Sequence, residues 1–189
     1  MFDDPSQQRA AQQRTMLRPD EEGLLIDPGA PSNLVGEEFL SRLEALADPF
    51  GFGAIWNRLQ SACLVKGVGQ TCQPCIWQAS ADIVLDDGWG EDYTAPVVRN
   101  SDLPALLGLD SLESKSALLD TRNRKLYLVG PRGYQIKLSP GARVYDLEKT
   151  ASGHLLLPCT RYSRWSQETG NNTHDKDACI VVSVNFAPD

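Results

Sequence analysis

Long apolar runs are missing from this 189-residue sequence, in which the longest are four or five residues. A helix that crosses a bilayer needs roughly 18 or more consecutive apolar residues, so a transmembrane helix is excluded. The first 20 residues also contain no apolar core of the kind that a secretory signal requires. We therefore expect an intracellular protein that has no signal peptide and does not bind membranes.

Positive charge is scarce as well, because 18 Lys and Arg residues stand against 25 Asp and Glu residues and give a formal net charge of −7. Proteins that bind nucleic acids neutralise backbone phosphates with basic residues. The sequence has no basic cluster interleaved with aromatic residues that could offset the acidic balance. We therefore expect no nucleic-acid partner.

The cysteines do not fit a disulfide framework, because there are five of them and the sequence shows no export signal. Only Cys72 and Cys75 are closely spaced, whereas a structural zinc site usually takes two such pairs. We expect free thiols, no bound metal and no cofactor. A small zinc-stapled interaction domain built on Cys72 and Cys75 is kept as the weakest of three hypotheses.

The order of polar and apolar segments predicts one ordered domain with polar ends. Residues 1–20 are polar and without periodicity, which is typical of a disordered lead-in. The compact domain is expected to cover residues 21–158. The polar tail over residues 159–189 contains Ile180–Phe186, which fits either one further strand or part of a truncated continuation.

Hydrophobic periodicity predicts one longer helix and a series of strands. Apolar residues recur at helical spacing after Glu37, and Asp48-Pro49 ends the pattern. A second, short helix is expected at Asp110–Lys115, while the stretch Phe50–Leu59 fits neither pattern. Strands are predicted at Leu24–Ile26, Ile76–Leu85, Tyr93–Val98, Ala117–Asp120, Lys125–Val129 and Tyr134–Leu138.

Three segments carry the pattern that bears on chemistry. The apolar strand Leu24–Ile26 runs directly into the turn Asp27-Pro28-Gly29-Ala30. Gly67-Val68-Gly69 follows at the start of a predicted hairpin, and Leu106–Leu112 with its central Gly108 comes last. In this order, the segments resemble those of the retropepsin-like aspartic peptidases of retroviruses and retrotransposons. The resemblance covers about residues 22 to 130.

The resemblance implies a mostly β fold, namely a closed β-barrel subunit with one or two short helices. It implies that Asp27 is the catalytic carboxylate, and that Gly29 and Ala30 shape its turn and hold the substrate through backbone groups. Gly67, Val68 and Gly69 would then belong to a flap that covers the substrate. The expected activity is endopeptidase cleavage of extended peptide segments within a retrotransposon-type polyprotein.

Hydrolysis of this kind also predicts a homodimer. One carboxylate activates water while a second, protonated one polarises the carbonyl, and the two share a proton because both cannot ionise at short range. The sequence supplies a single turn of this type, at Asp27. A second copy of the chain is therefore expected to contribute the other Asp27 across a two-fold axis.

Position 28 departs from the family pattern, which has Thr or Ser after the catalytic Asp. Pro28 has no hydroxyl and no backbone N–H with which to tie the two active-site loops together. Each lost hydrogen bond is worth about 0.5–1.5 kcal/mol. Two readings follow, a peptidase with weakened or conditional activity, or a catalytically inactive module kept for dimerisation or peptide binding.

Overall fold

The computed structural model describes residues 21–66, 72–85, 88, 90–130, 132–159 and 180–184. Within these residues the chain is mostly β, with two α-helices, and the predicted fold class is confirmed at this level. The residues fall into two compact units, one ending at Ser111 and the other beginning at Leu112. The domain predicted over 21–158 therefore spans parts of both units, while the lead-in over 1–20 and the flap residues 67–69 lie outside the described residues.

The first unit contains six strands, one long helix and the start of a short one. Its elements are β1 (Leu25–Ile26), β2 (Val35–Gly36), α1 (Glu37–Ala47), β3 (Ala54–Lys66), β4 (Cys72–Val84), β5 (Gly90–Val98), β6 (Leu106–Leu107) and α2 (Leu109–Ser114), which runs across the boundary. A 3₁₀ turn at Asp48–Phe50 follows α1. Both predicted helices are confirmed, with α2 shifted by one residue.

Four of these strands form the main sheet, in the order β2-β5-β4-β3. β4 is antiparallel to both of its neighbours, and β2 runs parallel to β5. Ala79 and Ala81 of β4 are buried, whereas Asp82 is exposed, as the alternation of side chains along a strand requires. The predicted strands are confirmed, but β4 and β5 begin earlier than predicted, at Cys72 and Gly90, because residues there that lack an apolar alternation still pair with the neighbouring strand.

α1 packs its apolar face against this sheet. Phe39 and Leu40 are buried, and Glu37 and Glu38 place negative charge in the first turn, which favours the positive end of the helix dipole. The helix ends at Ala47, directly before the Asp48-Pro49 stop. The core of the unit consists of Val35, Phe39, Leu40, Ala79, Tyr93, Ala95, Val97 and Ala105.

The short strand β6 has a partner on each side. β1 pairs with it in parallel, through Leu25 with Leu106 and Ile26 with Leu107. On its other side, Leu34 forms an antiparallel bridge with Leu106. The loop that joins β1 to Leu34 therefore passes around the C-terminal end of β6.

In the described residues of the second unit, short strands form three pairs. They are β7 (Ala117–Asp120) with β8 (Lys125–Leu128), β9 (Tyr134–Leu138) with β12 (Ile180–Val184), and β10 (Glu148–Lys149) with β11 (Leu155–Leu156). The predicted strands at Ala117–Asp120, Lys125–Val129 and Tyr134–Leu138 are confirmed to within one residue. Among the described residues of this unit only Leu112 is buried.

The strands of the described residues form one four-stranded sheet and four two-stranded ones. None of these sheets closes on itself as a barrel. No helix in the described part of the chain is both long and apolar enough to span a membrane.

Candidate active site

Asp27 lies where β1 ends, and main-chain hydrogen bonds fix it on both sides. Its N–H donates to the carbonyl oxygen of Leu107 at 3.1 Å, which continues the β1–β6 pairing by one residue. Its own carbonyl oxygen accepts the N–H of Ala30 at 3.1 Å and so closes the turn. The strand therefore delivers this residue to a defined place beside β6, with its side chain half-buried.

The carboxylate of Asp27 is oriented by its own turn. The N–H of Gly29 donates to Asp27 Oδ1 at 2.9 Å, a side-chain to backbone bond typical of aspartate turns. A Cβ at position 29 would lie only 3.1 Å from the same oxygen. Glycine thus leaves room for the carboxylate, and both Gly29 and Ala30 donate N–H groups to Asp27 within the turn.

Asn33 ties the far end of the loop to two strands at once. Its Oδ1 accepts the N–H of Gly108 at 2.9 Å, and its Nδ2 donates to the carbonyl oxygen of Thr94 at 3.1 Å. No role for Asn33 was predicted from the sequence. The signal for it was weak, namely an amide side chain, able to donate and accept, between a turn and an apolar strand.

Gly108 allows the loop to touch the end of β6. A Cβ at this position would come within 2.3 Å of the carbonyl carbon and 2.4 Å of the carbonyl oxygen of Ser32. Both atoms belong to the backbone and cannot rotate away. Glycine at position 108 is therefore what allows the end of β6 to approach the Asp27 loop this closely.

The first turn of α2 binds the same loop. The N–H groups of Leu109 and Asp110 donate to the carbonyl oxygens of Ala30 and Pro31, at 2.8 and 3.0 Å. The first N–H groups of a helix have no partner within the helix, so the loop satisfies two of them. The Asp27 loop is held by β6, Asn33 and α2 together.

The side chain of Tyr93, on β5, joins β6 to the neighbouring segment at Leu34. Its hydroxyl lies 3.0 Å from the carbonyl oxygens of both Leu34 and Leu106, so it can donate to either. The ring is buried, and burial raises the pKa of the Tyr93 phenol. The phenol therefore stays protonated as a donor. The strand position of Tyr93 was predicted from the sequence, but this role was not.

The structure describes only part of the other segments that the sequence pointed to. Pro28 lies exposed within the turn. Gly67, Val68 and Gly69 lie outside the described residues, and so only the arms of their hairpin, β3 up to Lys66 and β4 from Cys72, are described.

The strand geometry of β4 separates Cys72 from Cys75. The two residues are three positions apart on one strand, so their side chains point to opposite faces. Cys72 is exposed, whereas Cys75 is buried. Two thiols on opposite faces cannot hold one zinc ion, so the zinc-stapled hypothesis loses its starting pair. No group of three or more His, Cys, Asp or Glu side chains suited to a metal ion occurs among the described residues.

Comparison of the chain with protein-family models and with curated proteins finds no match. The resemblance to the retropepsin-like peptidases therefore depends on the motif order and on the geometry of the Asp27 loop.

Proposed function

We propose that this chain is one subunit of a homodimeric aspartic endopeptidase with a retropepsin-like fold, in which Asp27 is the catalytic carboxylate. The observation that carries the proposal is the placement of Asp27. It ends a strand paired to β6, and its loop passes around β6 and meets Gly108 in backbone contact. This is the pairing of turn and apolar-apolar-Gly segment on which the resemblance depends. A closed barrel subunit is part of the proposal.

The chemistry requires two copies of Asp27. One carboxylate is ionised and takes a proton from a water molecule, whose oxygen attacks the scissile carbonyl carbon. The other is protonated and donates a hydrogen bond to the carbonyl oxygen as it gains charge. The amide nitrogen then receives a proton, and the C–N bond breaks. The two carboxylates share one proton, because like charges a few ångströms apart resist double ionisation.

The substrate class is an extended peptide segment, as in a retrotransposon-type polyprotein. The N–H groups of Gly29 and Ala30 and the carbonyl of Ala30 already bond to Asp27 and Leu109. We therefore assign the contact with a substrate N–H to the carbonyl oxygen of Gly29. Gly67, Val68 and Gly69 would close over the substrate, exclude water and add main-chain hydrogen bonds.

The deciding experiment compares wild type with Asp27→Asn in cleavage of an unstructured polypeptide at acidic and neutral pH. Asparagine keeps the size of the side chain but cannot exchange the proton, so we expect cleavage to vanish. Asp102→Asn, an exposed change outside the turn, is the matched control and should cleave as wild type does. If Asp27→Asn cleaves as well as wild type, or if wild type cleaves under no condition, the endopeptidase proposal fails.

The second candidate is a catalytically inactive retropepsin-like module that dimerises or binds peptides. Pro28 favours it, because the exposed turn offers no hydroxyl there for a tie across the dimer. Cleavage separates the candidates, since this second one predicts self-association in sedimentation, or peptide binding, without cleavage under any condition.

A further inference from the structure

The β3–β4 hairpin has an outer part that the rest of the sheet does not support. The register of β3 against β4 shifts between Arg58 and Cys63, and among the described residues four pairs follow, from Cys63–Cys75 to Lys66–Cys72. β5 pairs with β4 only from Gln78 onward. We call the segments 63–66 and 72–75 the outer ribbon. A two-stranded ribbon is marginally stable by itself.

Pro74 is compatible with the open side of the outer ribbon. It lies opposite Leu64 and has no N–H to donate. Proline is tolerated in strands that lack a partner on one side, which is the situation of the outer β4 residues among the described strands. The outer ribbon is therefore held by few backbone hydrogen bonds, and a covalent link across it would stabilise it.

Cys63 and Cys75 face each other at the base of this ribbon. They are direct partners in the antiparallel register, so their side chains project from the same face. Directly opposite residues in such a pair have Cα atoms about 4.5–5.5 Å apart. A disulfide needs a Cα separation of about 4.4–6.8 Å. Both residues carry free thiols in this structure.

We propose that Cys63 and Cys75 form a reversible disulfide that links the two arms of the hairpin at the base of the outer ribbon. The oxidant is a small-molecule disulfide such as oxidised glutathione. The Cys63 thiolate attacks one glutathione sulfur and releases one reduced glutathione, which leaves a mixed disulfide on Cys63. The Cys75 thiolate then attacks the Cys63 sulfur and releases the second. Two protein thiols and one glutathione disulfide thus become one protein disulfide and two reduced glutathiones.

The exposure of the two thiols sets this order of events. Cys63 is partly exposed and accessible to glutathione, whereas Cys75 is 1% exposed and reaches only its neighbour. Burial, and then the nearby Cys63, raise the pKa of the Cys75 thiol, which makes Cys75 the poorer first nucleophile of the pair. A disulfide across directly opposite strand positions is constrained in geometry, and strained disulfides are the more easily reduced ones. The link is therefore a switch rather than a permanent staple.

The test equilibrates the full chain at low concentration with oxidised and reduced glutathione at a series of ratios. Remaining thiols are alkylated, and intact mass and peptide mapping are recorded. We expect the alkylated thiols to fall from five to three as the ratio becomes oxidising, together with a peptide that joins Cys63 to Cys75. Cys63→Ser should abolish the linked peptide. Cys72→Ser, the matched control on the exposed face of the same ribbon, should keep it.

Three results would overturn the proposal: five alkylated thiols at every ratio, a link that involves Cys72 instead, or glutathione retained on Cys63 as the end product. Wild-type mapping alone decides between these outcomes, so the test survives if a cysteine variant fails to fold. The readout involves no cleavage, and its result is independent of the proposed peptidase activity.

Discussion

At the scale of single residues, the turn at Asp27 determines where the carboxylate of the candidate site lies. Gly29 donates to Asp27 Oδ1, and so one oxygen of the group is fixed while the strand fixes the backbone. Gly108 then fixes the position of the loop through contact with the Ser32 backbone. Positioning of this kind is what a shared-proton dyad requires, since a displacement of about 1 Å can cost on the order of 100-fold in rate.

Gly108→Ala should destabilise the protein and impair cleavage together. The added Cβ would meet backbone atoms of Ser32 at 2.3 and 2.4 Å, so the loop must move. We expect a loss of about 1–3 kcal/mol in the free energy of unfolding, measured in urea. Gly53→Ala is the matched control, because nothing lies within 4 Å of a Cβ there, and it should change stability by less than about 0.5 kcal/mol. Equal stability of the two variants would contradict the role assigned to Gly108.

Pro28→Thr should strengthen the dimer and raise cleavage. A threonine hydroxyl in each subunit restores the ties that Pro28 cannot make, at about 0.5–1.5 kcal/mol each. Two such bonds correspond to a dissociation constant that falls by roughly five-fold or more. Sedimentation equilibrium and the concentration dependence of cleavage measure the effect. Pro49→Thr, an exposed change outside the turn, should leave both unchanged, and identical behaviour of the two variants would count against the explanation.

At the scale of elements, structure that depends on neighbouring residues could be predicted from the sequence, whereas pairing between distant segments could not. α1 was predictable because its buried residues and its Asp48-Pro49 stop are close in sequence. The motif order located Asp27 and Gly108 by resemblance. The parallel pairing of β1 with β6 could not be predicted from hydrophobic periodicity, because it joins residues about 80 positions apart. The start of β4 at Cys72 was missed because Pro74 interrupts the strand pattern. Pro74 nevertheless pairs with Leu64, because a strand that lacks a partner on one side tolerates a residue without an N–H.

Tyr93→Phe tests how the elements around β6 are joined. It removes a buried hydroxyl that serves the carbonyls of Leu34 and Leu106, at an expected cost of about 1–3 kcal/mol in the free energy of unfolding. Tyr127→Phe, on an exposed ring of β8, is the control and should change little. Urea unfolding at neutral pH measures both, and equal stability would contradict a structural role for the Tyr93 hydroxyl.

The same residue predicts a pH dependence. Burial raises the pKa of Tyr93 in the folded protein above its usual 10.0, so above about pH 10 the unfolded chain loses a proton that the folded chain keeps. Stability is therefore complete below pH 10 and declines as the pH rises beyond it. The decline in the free energy of unfolding between pH 9 and 11 should be shallower for Tyr93→Phe than for wild type, and parallel curves would argue against this linkage.

At the scale of the whole molecule, the proposal requires two chains for one active site. Each chain offers one Asp27, and the carboxylate that activates water and the acid that polarises the carbonyl come from different subunits. A subunit that lacks the ionisable group should therefore abolish the activity of the dimer that it forms with a wild-type subunit. This consequence separates a shared site from two independent ones.

Mixing wild type with an equal amount of Asp27→Asn, unfolded and refolded together, should reduce activity per wild-type chain by half. Random pairing gives about one quarter wild-type dimers, one half mixed dimers and one quarter variant dimers, and only the first would cleave. Total activity then equals about a quarter of that of the same total amount of wild type. Asp102→Asn mixed in the same way should leave total activity unchanged. Total activity near one half in the Asp27→Asn mixture would mean that each chain works alone, because chains that act independently lose only the share that was replaced.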